Sequence, residues 1–205
     1  MATEVVRVDP VAPDDRAVRE AARVLARGGL VAFPTETFYG LGAAALDARA
    51  VRRVFDIKGR PASMPLLVLI DSAAGLRHVV EDVPERAEAL MARHWPGPLT
   101  LVFRAAPQIP QELTAGTGTI GVRVPDHPVP RALVSHLGAP VTAPSANPTG
   151  VAPPTTADAV LAYFSGALDL VLDGGATLGG APSTVVDVTI DPPRVIRQGA
   201  VRLSL

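Results

Sequence analysis

Residues 30–42 read Leu30-Val31-Ala32-Phe33-Pro34-Thr35-Glu36-Thr37-Phe38-Tyr39-Gly40-Leu41-Gly42, an apolar run that stops at a proline and releases into a polar, glycine-punctuated loop. Apolar residues without alternation mark a strand buried on both faces, as in a sheet covered by helices. A polar loop leaving such a strand is a common place for a ligand. Upstream, Val5 to Val8 reads as a short strand, and Pro13-Asp14-Asp15 opens a helix with Val18, Ala21, Ala22 and Leu25 on one face until Gly28-Gly29 stops it. Downstream, Asp47 to Ile57 is helical with Val51, Val54 and Phe55 inward, and Lys58-Gly59-Arg60-Pro61 ends it because Pro61 forbids continuation.

The same alternation continues to the C-terminus. Strands are expected at Pro65–Ile70, Leu99–Phe103, Ile120–Val124, Leu168–Leu172, Thr184–Thr189 and Arg194–Ile196, with Pro140–Ala143 leading into a proline-flanked loop. Helices are expected at Ser72–Val79, Pro84–His94, Pro128–Leu137 and Thr156–Phe164. The fold class is therefore α/β, with helices on both faces of a sheet, and the turn Asp191-Pro192-Pro193 between the last two strands makes that sheet mixed. No internal repeat or interdomain linker is visible, so the 205 residues read as one domain.

Composition narrows the chemistry. With no cysteine, the chain has no disulfide, zinc ribbon, iron–sulfur cluster or thiol nucleophile. The 19 Lys and Arg against 20 Asp and Glu give no global pull toward nucleic acid, although a local cationic cleft is compatible with that balance. His78, His94, His127 and His136 show no metal-binding helical spacing, so surface or capping roles are expected for them and no metal site is assigned. The N-terminus lacks the basic start and apolar core of a signal peptide, and the longest uncharged stretch, Leu137 to Ala157, is broken by five prolines. A cytoplasmic protein without a membrane span is the expectation.

The familiar phosphate-binding fingerprints are absent, so any nucleotide is held by another device. Lys58 and Arg60 flank a glycine, which suits phosphate recognition and equally suits cations at a helix C-terminus. Ser145 and Asn147 between prolines fix a hydroxyl and an amide on a rigid loop, or stabilise that loop by their own turn. Thr35, Glu36 and Thr37 either face a ligand or cap backbone, and Arg123 near a strand end is a ligand clamp or a salt-bridge partner. No one of these decides.

Their combination is more specific. Pro34-Thr-Glu-Thr-Phe-Tyr-Gly-Leu-Gly42, Lys58-Gly-Arg-Pro61, Trp95-Pro-Gly-Pro-Leu-Thr100, Val122-Arg-Val-Pro125, Pro144-Ser-Ala-Asn147, Ser183-Thr-Val-Val-Asp187 and Arg197-Gln-Gly199 occur in the order and at the spacings of the YrdC family. The chain resembles its single-domain threonylcarbamoyl-AMP synthases from the first helix to Gly199. The resemblance implies a YrdC-like twisted mixed β-sheet flanked by helices around a cationic central cavity, in one domain over 1–205 with no second C-terminal domain. It implies a nucleotidyltransferase that makes L-threonylcarbamoyl-AMP from L-threonine, bicarbonate and ATP with release of pyrophosphate. The product would go to a tRNA threonylcarbamoyl transferase complex, which modifies adenosine 37 of tRNAs reading ANN codons.

By the same resemblance Lys58, Arg60, Ser145 and Asn147 form a catalytic tetrad. Lys58, Arg60, Thr119, Ser145 and Arg197 bind ATP, and Thr37, Arg123 and Ser183 bind threonine. Mg²⁺ is expected to share the charge of the leaving pyrophosphate without a dedicated protein site. One departure is Leu69, where many relatives have a histidine that contributes to the amino-acid pocket. The competing readings are a YrdC-like paralogue with another substrate and an RNA-binding module, the latter opposed by the near-neutral net charge and only eight aromatic residues, and weak RNA binding is a further partner expectation for the enzyme.

Overall fold

The computed structural model describes residues 2–203; Met1, Ser204 and Leu205, on which readings of the chain ends partly rest, lie outside the described residues. The first elements are strand β1 (Glu4–Arg7), helix α1 (Asp15–Ala26), strands β2 (Val31–Phe33) and β3 (Gly40–Gly42), and helix α2 (Ala48–Lys58). Asp14 starts α1 by accepting from the Arg16 and Ala17 N–H groups, and Asp47 starts α2 in the same way. Gly59 ends α2 at φ 55°, a left-handed cap that a side chain would strain.

The chain continues through β4 (Leu67–Leu69), α3 (Glu85–His94), β5 (Leu99–Arg104), α4 (Gln111–Thr114), β6 (Thr119–Arg123), α5 (Pro128–Leu137), β7 (Val141–Thr142), α6 (Ala157–Phe164), β8 (Leu170–Asp173), β9 (Thr184–Asp187) and β10 (Arg194–Arg197). The described strands form two sheets rather than the single sheet expected, ordered β1-β8-β2-β3 and β10-β9-β5-β6-β4-β7. Both are mixed. In the second, β5 and β9 run parallel while β9–β10 and β5–β6 are antiparallel. The isolated bridges Gly40↔Ser145 and Ala44↔Val141 join the two, and the Thr142 hydroxyl of β7 adds to them by accepting from the Ala43 N–H and donating to the Leu41 carbonyl at 2.9 and 3.1 Å.

The apolar run that opened the reading is covered on both sides. Leu30 and Ala32 pack with Val160 and Phe164 of α6 in one core, while Val31 and Phe33 pack with Val18 and Leu25 of α1 and Leu133 of α5 in another. Each Val, Leu or Phe side chain so removed from water contributes about 1.5–3 kcal/mol.

Four local differences from these expectations stand out, and two of them have a visible physical cause. Residues 40–42, expected as loop, pair with β2; a Cβ on Gly42 would lie 2.7 Å from the Phe33 ring, so the strand is written in glycine. Ser72–Val79 is a 3₁₀ helix over Ala73–His78. The connection before β6 holds the four-residue α4. The strand expected to reach Thr189 stops at Asp187, whose carboxylate accepts from the Thr189 N–H and hydroxyl at 2.9 and 2.6 Å.

Candidate active site

One face of the six-stranded sheet is the floor of a cavity of about 410 Å³. Strand alternation makes it so: Thr100 and Val102 of β5 and Thr119, Gly121 and Arg123 of β6 face the hollow, while Leu101, Phe103, Ile120 and Val122 face the core. The walls come from the loop after β2, the end of α2, the loop after β7, and the start of β9 with the end of β10. Eight of the nine residues singled out from sequence line this cavity: Thr37, Lys58, Arg60, Thr119, Arg123, Ser145, Ser183 and Arg197. The lining includes four basic side chains and no carboxylate.

Lys58, 3% exposed, donates from Nζ to the carbonyls of Ser145 and Asn147, each at 2.6 Å. The Thr149 N–H returns to the Lys58 carbonyl at 2.7 Å, so the helix end and the serine–asparagine loop are one unit. Burial, with the Arg60 charge adding to it, pulls the Lys58 ammonium down to about 8. Arg60 is anchored to the Met64 and Pro65 carbonyls at 3.0 and 2.8 Å. Its guanidinium is shifted down by burial and then by the Arg197 charge.

Asn147 is the residue not brought to the cavity. Its amide nitrogen donates to the Pro148 and Val151 carbonyls at 3.0 and 2.7 Å, which spends its hydrogens on its own loop, and its Oδ1 is buried without a partner. Leu69, in the position that prompted the histidine comparison, is fully buried in the core with Leu133 and Val141 and does not line the cavity.

Ser183 and Arg197 are coupled. Arg197 donates to the Ser183 carbonyl at 2.8 Å and to its hydroxyl at 3.2 Å, and that hydroxyl lies 3.0 Å from the hydroxyl of Thr100. Thr100 was not assigned a role from sequence, although Trp95-Pro-Gly-Pro-Leu-Thr100 ends on it. Thr35, for which the sequence leaves ligand contact and backbone capping open, does the second, its hydroxyl donating to the Phe38 carbonyl at 2.7 Å, and it also lines the cavity. Arg123 is 5% exposed, donates from Nη2 to Glu36 Oε2 at 2.7 Å, and leaves Nε buried without a partner. The salt-bridge reading of Arg123 is realised in this pair, and the same residue lines the cavity. A buried donor left unpaired costs about 1–3 kcal/mol, which an incoming acceptor recovers.

The arrangement is suited to anions rather than metals, and among the described residues no three His, Cys, Asp or Glu gather into a metal-holding group. Two of the four histidines make side-chain contacts elsewhere: His127 caps α5, its Nδ1 accepting from the Val129 N–H, and His136 Nε2 lies 2.8 Å from Asp15. No described helix is long and apolar enough to cross a membrane.

Comparison with known proteins relates this chain to threonylcarbamoyl-AMP synthases and to solved structures of the same fold. A threonylcarbamoyl-AMP synthase of Pyrococcus abyssi is 46% identical over 187 residues, covering 91% of this chain and 55% of that protein. The chain spans a little over half the length of the first curated relatives it matches. The crystal structure of P. abyssi Sua5 complexed with L-threonine superimposes with a TM-score of 0.93 at 44% identity, over 96% of this chain and 58% of that one. The crystal structure of E. coli YciO does so with a TM-score of 0.89 at 28% identity, over 97% and 96% of the two chains. The family model described as "Telomere recombination", the Sua5–YciO–YrdC model, matches residues 23–199, the span that holds every residue of the cavity, and the chain belongs to that family.

Proposed function

We propose that the chain catalyses the synthesis of L-threonylcarbamoyl-AMP from L-threonine, bicarbonate and ATP, a nucleotidyl transfer that releases pyrophosphate. The observation that carries this reading is the convergence of Lys58, Arg60, Arg123 and Arg197 on one cavity without a carboxylate in its lining, in a fold shared with a relative crystallised with L-threonine. The threonine amine and bicarbonate condense to a carbamate with loss of water. A carbamate oxygen then attacks the α-phosphorus, forming the mixed anhydride as the bond to pyrophosphate breaks. Two anions must meet, and fixed cations offset their repulsion.

In this reading Lys58, Arg60 and Arg197 hold phosphates, with Thr119 and Ser145 hydrogen-bonding the nucleotide. Arg123 clamps the threonine carboxylate, and Thr37 and Ser183 take its polar groups, so that an amino acid lacking the hydroxyl leaves a buried group unpaired. Asn147 serves by fixing the loop that carries Ser145. The lining holds no carboxylate, and in this reading Mg²⁺ arrives with the ATP substrate. Hand-off of the product to a tRNA threonylcarbamoyl transferase complex, in the cytoplasm, completes the reading.

The test is pyrophosphate release from MgATP with bicarbonate and either L-threonine, L-serine or no amino acid. Release that depends on threonine is the expected result. A folded protein that binds ATP yet releases nothing in all three mixtures overturns the reading in favour of a paralogue with another substrate.

A further inference from the structure

We infer that Glu36 is a positioning residue that aims Arg123 at the carboxylate of the amino-acid substrate, an inference that deepens the synthase reading and rests on it. Thr35 and Thr37 face the cavity, while Glu36 between them is absent from the lining and turns to Arg123. Its carboxylate is engaged at both oxygens: Oε2 accepts from Arg123 Nη2 at 2.7 Å and Oε1 from the Asp126 N–H at 3.3 Å. The loop after β2 is thereby tied to the segment that follows β6, with the guanidinium between them.

The two side chains are 6% and 14% exposed, so this is a buried pair. Buried pairs add little net stability compared with apolar packing, and a pair kept only for structure is expected to satisfy its donors. This one does not, since Arg123 Nε is buried and unpartnered. Glu36 takes one corner of the fork and thereby fixes the plane of the rest. A carboxylate accepts such N–H groups in that plane, so a fixed plane lowers the cost of capturing the α-carboxylate.

Charge works against orientation here, which makes the proposal decidable. A carboxylate near the site repels the α-carboxylate of the amino acid, so removing its charge without consequence for orientation strengthens threonine binding. If Glu36 acts by aiming Arg123, its removal weakens binding instead. It does so for the amino acid alone, because Lys58, Arg60 and Arg197 hold the nucleotide without it.

The experiment is steady-state pyrophosphate release by the whole chain and its variants, with L-threonine and MgATP varied separately and folding checked by thermal melting. Glu36→Gln is expected to raise the KM for threonine about tenfold and to leave the KM for ATP within about twofold. In Arg123→Ala, adding Glu36→Gln is expected to change the threonine KM no further, since Glu36 acts through Arg123. Should Glu36→Gln not fold, Glu36→Asp, which withdraws the charge by one methylene, carries the same comparison. A lower threonine KM, equal rises in both KM values, or full additivity with Arg123→Ala overturns the proposal alone. Wild-type protein without threonine-dependent release overturns the synthase reading and this proposal together, and so the two failures are distinct.

Discussion

Lys58 and Arg123 are both buried cations in the wall of one cavity, yet their donors are used in opposite ways. Lys58 directs two N–H bonds to carbonyls of the loop carrying Ser145 and Asn147, so it is fixed before any ligand arrives. Arg123 has one bond to Glu36 and an Nε left over. The first wall is closed by backbone; the second keeps a buried donor without a partner. A cation fixed by carbonyls holds its loop as well as its ligand, so its removal affects both, while an arginine with a free edge reports on one ligand alone.

The largest expected effect breaks the first wall. Lys58→Ala removes the charge proposed to hold phosphate and leaves the Ser145 and Asn147 carbonyls without their donor, and pyrophosphate release should fall by at least about 1000-fold. Lys58→Arg should not rescue it, because a planar fork cannot replace an ammonium at 2.6 Å from two carbonyls. Stopped-assay turnover with a thermal melt separates this from unfolding. Turnover within tenfold of wild type in Lys58→Ala, with the fold intact, ends the distinction between the walls.

The next effect sharpens the comparison through pH. Burial holds the Lys58 ammonium at about 8, below its ordinary 10.5, whereas an arginine stays charged throughout the accessible range. Phosphate binding needs the charged form, so kcat/KM for ATP should decline above about pH 8 by up to about tenfold per pH unit. Bound phosphates favour the ammonium, so under saturating ATP the same limb should move to higher pH. Stability goes the other way: between about 8 and 10.5 the unfolded chain binds this proton more than the folded one, and the penalty of burying the charge, fully present below about 8, is relieved as pH rises. A limb that parallels loss of the fold would assign it to unfolding instead.

Much of this arrangement is legible in the sequence, for reasons that differ by element. The apolar residues 30–33 announce a doubly covered strand because burial on both faces leaves no polar position. The glycines at 40 and 42 announce nothing, since the strand they form depends on a Phe33 ring that occupies the space of the missing side chain. Lys58, Arg60, Ser145 and Arg197 stand out as motif residues and meet at the cavity. Thr100 is hidden because a threonine in an apolar strand resembles any β-branched residue, and only pairing with Ser183 across the sheet gives its hydroxyl a use. The direction of a short side chain in a proline-bounded loop is likewise set by contacts that spacing does not encode.

Asn147 is where that last point has a measurable consequence, and where the smallest effect is expected. The motif places it beside Ser145, but its amide hydrogens are spent on Pro148 and Val151 while Ser145 faces the cavity. Asn147→Ala should therefore lower stability by about 1–2 kcal/mol through two lost loop bonds, and raise the KM for ATP only a few-fold as Ser145 loosens. Ser145→Ala should do the reverse, leaving the melting temperature nearly unchanged and weakening ATP more than Asn147→Ala does. Melting temperatures and KM values for the two variants decide the matter. If Asn147→Ala abolishes turnover at an unchanged melting temperature, the asparagine touches substrate, and the wall that Lys58 closes is less complete than its two short bonds imply.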